Sequence, residues 1–432
     1  MTVWLNRLGE QRLWAASPEH LARLSVFFYL AALPFPHNAA WKNVAAFFML
    51  LVTGWLVGTK RLKVDWHSPL VLGLLVLLTL VGASSLAGIA PLEGFNELRK
   101  HLLPAILLFL LTAFAFREGG WREWLFIYAG SLFLLRIALA VAELTWYGDL
   151  YAARTSGNFV KGVALDAGFY LPVYFGLFLS AGQLRWWAGA ATAAAFAIII
   201  LTQGRAPLLA GLLAIAAMLI ALRRWRLLLL LLGVGLFTTI VLGLARPDLR
   251  ERFLPAFSPH TYIDALDTRA FGRESDGLSG RIPIWLGVIE IARERPLLGY
   301  GFGWKKLGRI AVEDGFVERW EQNKQSLLAE AQVNYFSLPT DKVNPHNLYL
   351  QIFFEAGLVG LVVYCAVLGL FVRVAWQQTR QGADVGGATA AIVLGFLVDH
   401  LVLGLANGLW IGLGPSMAWL GVLEAIRQKR AS

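Results

Sequence analysis

The chain has 432 residues, of which 57% are hydrophobic and 15% charged, and its net charge is +10. That is too little charge to clothe a soluble protein of this size, and the apolar residues come in blocks of the roughly 17–25 residues needed to cross hydrocarbon. The positive balance does not indicate nucleic acid, because the basic residues collect in short loops between apolar blocks, where they report topology.

Arg12 and mixed polar residues precede the first apolar run, and no small-residue cleavage site follows it, so this run reads as a retained span. Apolar blocks then lie at 22–36, 40–58, 68–88, 102–116, 123–144, 163–181, 187–203, 207–222, 227–244, 347–372, 386–405 and 408–426, giving about twelve spans of an all-α polytopic membrane protein. One alternating set of loops carries Lys60, Arg61 and Lys63, then Arg117 and Arg122, Arg185, Arg223 with Arg224 and Arg226, and Arg373 with Arg380; Arg427, Lys429 and Arg430 continue it. Short loops with this bias belong in the cytoplasm, which places both termini there and puts 88–101, 145–162 and 245–346 on the opposite side. The chain thus divides into nine spans within 1–244, a large periplasmic loop at 245–346 and three spans with a tail in 347–432. The long loop is too large for a structureless linker. Its stretches 283–295 and 318–333 are expected to form partly amphipathic helices, making a cap over the membrane. Gly299, Gly301 and Gly303 lack the strand–turn–helix setting of a dinucleotide site and read as a tight turn that folds the loop back. Cys365, the single cysteine, sits in an apolar block and reads as a small core residue.

Ionisable residues at membrane depth or at its edge are the functional candidates. Arg205 falls in the very short connection from Thr202 to Pro207, so it must sit at the membrane edge. There it could grip a phosphate through two parallel hydrogen bonds or simply bind lipid headgroups. Arg281, after Gly280, could point back at the membrane, although pairing with Asp276 or Glu274 is the more ordinary reading. His346 precedes a helix start that Asn347 can cap, which makes it either a base at the outer edge or a capping histidine. Glu355, followed by Gly357 and Gly360, needs a partner inside the bundle. Arg136 lies within the fifth block, and Arg99, Lys100, His101, Arg154, Lys161, Asp166, Asp399 and His400 fall on the same outer side. Together these would make a positive cavity for an anionic, lipid-attached ligand. No histidine pair has metal-ligand spacing and no Asp-rich metal–pyrophosphate motif occurs, so the expectation is chemistry without metal or other cofactor.

Arg205 at its short outer turn, GRIPIWLGVIEIARERPLLGYGFG from Gly280 to Gly303 and HNLYLQIFFEAGLVG from His346 to Gly360 resemble the O-antigen ligase family, within the O-antigen ligase and polymerase superfamily. The resemblance extends over almost the whole chain. It implies a twelve-span glycosyltransferase of the GT-C type with a helical periplasmic cap, in the inner membrane of a Gram-negative bacterium. It implies a glycan donor linked to undecaprenyl pyrophosphate and a lipid A–core acceptor, joined at the periplasmic face with inversion and without metal or nucleotide sugar. Carried over by motif, Arg205 and Arg281 would bind the pyrophosphate and His346 would activate the acceptor hydroxyl, all three being catalytic. Arg136 and Lys161 would add positive charge for the pyrophosphate. Glu290 and Glu294 are the nearest carboxylates for a covalent route, which the resemblance does not favour. An O-antigen polymerase or a protein O-oligosaccharyltransferase would use the same donor, and the lack of a further domain before Ser432 weighs mildly against a protein acceptor. A flippase would need matching broken helices in two halves, which the sequence does not show. No dimerisation stripe is evident, so a monomer in contact with membrane lipids is expected.

Overall fold

The computed structural model describes residues 17–33, 35, 39–117, 121–148, 159–180, 185–202, 205–245, 281–323, 327–339, 342–382, 385–408 and 413–431. All its regular elements are helices: α1 (Pro18–Ala32), α2 (Ala39–Gly58), α3 (Pro69–Ala87), α4 (Pro91–Ala115), α5 (Trp121–Tyr147), α6 (Phe159–Leu179), α7 (Arg185–Leu201), α8 (Arg205–Ala221), α9 (Trp225–Ala245), α10 (Ile282–Ala292), α11 (Lys306–Glu313), α12 (Phe316–Gln322), α13 (Leu327–Phe336), α14 (Leu348–Arg380), α15 (Val385–Leu403) and α16 (Leu413–Ala431). A helix covers each expected apolar block, and among the described residues six are long and apolar enough to cross a membrane: α2, α3, α4, α14 and most of α6 and α15. The protein is an all-α, multi-pass membrane protein.

Local chemistry sets the helix starts. Ser17 and Ser68 cap α1 and α3, each with proline in the first turn, where no amide hydrogen is needed. The start of α6 is capped from a neighbouring helix: Glu143 of α5 accepts the amides of Phe159 and Val160 at 2.7 and 2.6 Å. A carboxylate there satisfies orphan donors and meets the positive end of the helix dipole. In the bundle α4 packs on α16, α8 and α14 on α15, α6 on α5 and α7, and α3 on α14. One apolar core runs through these helices, and the ring of Phe396 links Phe169 to Trp419 within it.

The cap helices α10–α13 have their own apolar core, built on Ile284, Val288, Leu307, Phe316, Trp320 and Phe336. Phe354 of α14 enters that core and stacks on Tyr300 at 5.2 Å. The end of the bundle facing these helices is called the cap side below.

Four expectations need correction. The expected loop 88–101 is mostly helix, because α4 starts at Pro91 and runs through Pro104; hydropathy registers only the apolar part and misses a polar first half. The expected cap helix 318–333 is two helices, with α12 ending at Asn323 in a non-helical conformation. The eight-residue α11 was missed, being too short to show a period between Gly303 and Gly315. Cys365 is exposed rather than in the core.

Candidate functional site

α14 is a broken helix. Gly357 has φ 65° and ψ −168°, which interrupts its hydrogen-bond ladder. The cap segment 296–301 fills the break. Leu358 and Val359 donate to the carbonyls of Pro296 and Leu297 at 2.7 and 3.3 Å, while Tyr300 and Gly301 donate to those of Phe354 and Glu355, both at 2.9 Å. Apolar surroundings make such pairing obligatory. The glycines permit it: Gly299, Gly301 and Gly303 have φ of 68°, 91° and 110°. A Cβ on Gly299 would stand 2.5 Å from the Phe354 carbonyl, and one on Gly357 2.6 Å from the amide nitrogen of Leu298. The glycine-rich run is therefore a turn, as read from the sequence, and its partner is the FFEAG segment.

Glu355 is fully buried beside this break. Its carboxylate accepts the Gly303 amide at 3.2 Å and the Gln351 side-chain amide at 3.0 Å, and Ser84 of α3 donates to its carbonyl at 2.5 Å. The partner that a carboxylate at this depth requires is thus supplied by the cap turn and by its own helix. Lys306, buried under the turn, donates to the Tyr300 carbonyl at 3.3 Å, and its pKa is lowered by burial, against the pull of Glu355.

At the cap-side end of α14, Asn347 accepts the amides of Tyr349 and Leu350 at 2.9 and 3.1 Å, as a helix cap should. His346 precedes it with φ 49°, a left-handed conformation costly for a non-glycine residue. Its amide is held by the Asn344 side chain at 2.8 Å, and its ring lies 6.5 Å from that of Tyr335, centre to centre. The Tyr335 hydroxyl is fixed by the Asn344 main chain, donating at 2.8 Å and accepting at 3.0 Å. Arg281, immediately before α10, faces Tyr335 electrostatically; burial lowers the arginine's pKa and raises the tyrosine's. Among the described residues Arg281 has no carboxylate partner. The structure therefore gathers Arg281, Tyr335 and His346 where the cap meets α14.

Arg205 is the first residue of α8, whose packing on α15 and on Gly168 of α6 puts that end of α8 on the cap side. The side chains of Arg205 and Lys161 lie outside the described residues, as do Gly280, Asp276, Glu274 and Arg154. Arg136 is committed to Asp166 in an ion pair and lies over the Phe159 ring at 5.8 Å. Arg99, Lys100 and His101 engage Asn96 and Glu97 on their own helix. Glu290 holds the Trp320 indole and Glu294 pairs with Arg319, so both serve the cap. Asp399 is buried with both carboxylate oxygens unpartnered among the described residues, while its neighbour His400 bonds the Tyr364 hydroxyl at 3.2 Å.

Tyr335, Asn344, Gln351 and Lys306 were not singled out from the sequence. Gln351 was within reach, since its spacing of four from Glu355 puts both on one helix face. Tyr335 carries no such signal, because its surroundings come from two other segments, one before α10 and one before α14.

A search among curated proteins found no match. The family model for O-Antigen ligase matches residues 190–365, which run from α7 through the cap into α14 and contain Arg281, Tyr335, His346, Glu355 and the turn at the break. Over this stretch the chain is similar to the O-antigen ligase family.

Proposed function

We propose that the protein is an inner-membrane O-antigen ligase, moving a glycan from undecaprenyl pyrophosphate to the lipid A–core oligosaccharide at the periplasmic face. The observation that carries this reading is that Arg281 at the start of α10, Tyr335 of α13 and His346 before α14 lie at the junction of the cap with α14, inside the matched stretch. The cap then lies in the periplasm and both termini in the cytoplasm. Consistent with that orientation, Arg117, Arg427 and Arg430 cluster at the end of the bundle away from the cap.

In this mechanism the acceptor hydroxyl attacks the anomeric carbon of the donor sugar as its proton passes to His346. The bond from that carbon to the pyrophosphate oxygen breaks, and undecaprenyl pyrophosphate leaves. Arg281, with Arg205 on the same side of the bundle, compensates the charge growing on the leaving oxygen. A single displacement inverts the anomeric centre. Glu290 and Glu294 are occupied within the cap, which supports the direct route over a covalent one. About a dozen spans in a GT-C-like arrangement are part of this reading, and the twelve long helices among the described residues support the span count.

The test is purified protein with undecaprenyl-pyrophosphate-linked glycan and lipid A–core, read as glycan joined to the core. Transfer that falls at least a hundredfold in Arg281→Ala and His346→Ala, with both proteins folded, supports the reading (about 2.7 kcal/mol or more of transition-state stabilisation). Transfer only to a second lipid-linked glycan, or only to a protein hydroxyl, would replace it with the polymerase or the protein-glycosylating reading.

A further inference from the structure

α3 touches its surroundings closely at two glycines. Near the end away from the cap, a Cβ on Gly73 would lie 2.8 Å from the Phe371 ring of α14; at the cap side, one on Gly88 would lie 2.6 Å from the Tyr300 carbonyl. Between these pinch points the helices part around a cavity of about 100 Å³, with walls from α3, α4, α14, α15 and α16. Leu77, Leu80, Val81 and Ser84 line it at helical spacing from α3, and Phe302 of the cap turn closes it above.

The polar groups at its wall are already engaged. Ser84 donates to the carbonyls of Leu298 and Glu355, Glu355 accepts from Gln351 and Gly303, and Tyr364 and His400 bond each other. A sugar, phosphate or hydroxyl entering the cavity would go unsatisfied, at a cost of several kcal/mol. What fits is hydrocarbon. Benzene, with six carbons, fills an apolar cavity of about 150 Å³, so this one takes about four carbons, most of one isoprene unit.

The cavity lies further along α14 from the candidate site, and side chains bridge the two. Asn344, which holds the His346 amide, and the Gln351 side chain both approach Gly408, and Gln351 then bonds Glu355 at the cavity lip. Ile352 and Glu355 lie roughly 9–14 Å along α14 from His346, at about 1.5 Å per residue. A chain anchored by its pyrophosphate beside His346 reaches that depth within its first few isoprene units.

We propose that this cavity holds one of the proximal isoprene units of the lipid carrier, which rests on the reading of the donor as isoprenoid-linked. Because bilayer and cavity are equally apolar, the gain is van der Waals contact with walls that an empty cavity leaves unmatched, and its effect is to fix where the chain runs.

The experiment uses the full-length protein in phospholipid vesicles with two probes: a polyprenyl pyrophosphate bearing a diazirine on its third isoprene unit, and a phosphatidylethanolamine bearing one in mid-acyl chain. Cross-links are mapped by peptide mass spectrometry. The expected result is polyprenyl label on 77–84 and 352–360, reduced about tenfold when Leu80→Trp or, independently, Leu420→Phe fills the cavity. Polyprenyl label confined to other helices, or phospholipid label on these segments that excess polyprenyl pyrophosphate does not displace, would overturn it. Glycan transfer by the unmodified protein is measured alongside. Transfer without cavity labelling removes the cavity assignment and leaves the ligase reading intact. Cavity labelling without transfer keeps the isoprenoid site and removes the ligase reading.

Discussion

α9 and the first half of α14 belong to the matched stretch, and hydropathy reads the two helices alike, but they meet different surroundings. α14 is capped, broken at Gly357 and rebuilt there by main-chain bonds from the cap. Among the described residues α9 exposes Leu229, Leu232, Leu236, Phe237 and Leu244, and a Cβ on its Gly233 would meet nothing within 4 Å. The same residue type is a backbone requirement in one helix and stands in open space in the other. Apolar composition tells where a segment can reside; what crowds its glycines tells whether it does anything there.

The largest test of that contrast is Gly357→Ala. Forcing a Cβ into a left-handed position costs about 1–3 kcal/mol before any clash, and here the clash is with cap backbone. The variant should lose glycan transfer and show early proteolysis between 296 and 303; full activity would mean that the junction is dispensable. Next is Glu355→Ala, which strands the Gly303 amide and the Gln351 side chain at a cost of about 1–3 kcal/mol. It should lower the unfolding temperature, and Glu355→Gln, which keeps an acceptor oxygen, should recover most of the loss.

Asp399→Leu has the opposite expected sign. Among the described residues its carboxylate has no hydrogen-bond partner, so an apolar replacement should be neutral or raise stability by about 1 kcal/mol. Loss of transfer in that stabilised protein would show that the carboxyl is used. A pH series sharpens the cap side of the comparison. Burial lowers the pKa of Lys306, so between the lowered value and the ordinary one of 10.5 the unfolded chain binds more protons than the folded one. Stability should rise with pH across that alkaline window, and Lys306→Met should flatten the rise in a thermal-shift series. The smallest effect belongs to Gly233→Ala in α9, within about 0.5 kcal/mol of no change in unfolding.

Much of the fold was legible because long apolar runs report themselves, and Asn347 announced a helix start through its capping chemistry. The polar first half of α4 was not legible: Asn96, Glu97, Arg99 and Lys100 continue a helix whose apolar part begins later. Within the site, His346 and Glu355 stood out because a histidine at a helix start and a carboxylate in an apolar run are unusual. The pairing of FFEAG with the glycine turn was not readable, since main-chain bonds between segments more than 50 residues apart leave no mark in side-chain pattern.

Four main-chain hydrogen bonds join the cap turn to α14 across its break. Lifting the cap would leave those amides and carbonyls bare in apolar surroundings, each at several kcal/mol. This part of the cap is therefore a fixed lintel over the doorway and not a hinged door. Under the proposed ligase function, a glycan of any length would pass a frame that keeps its height, so gating during turnover would fall to elements outside the lintel.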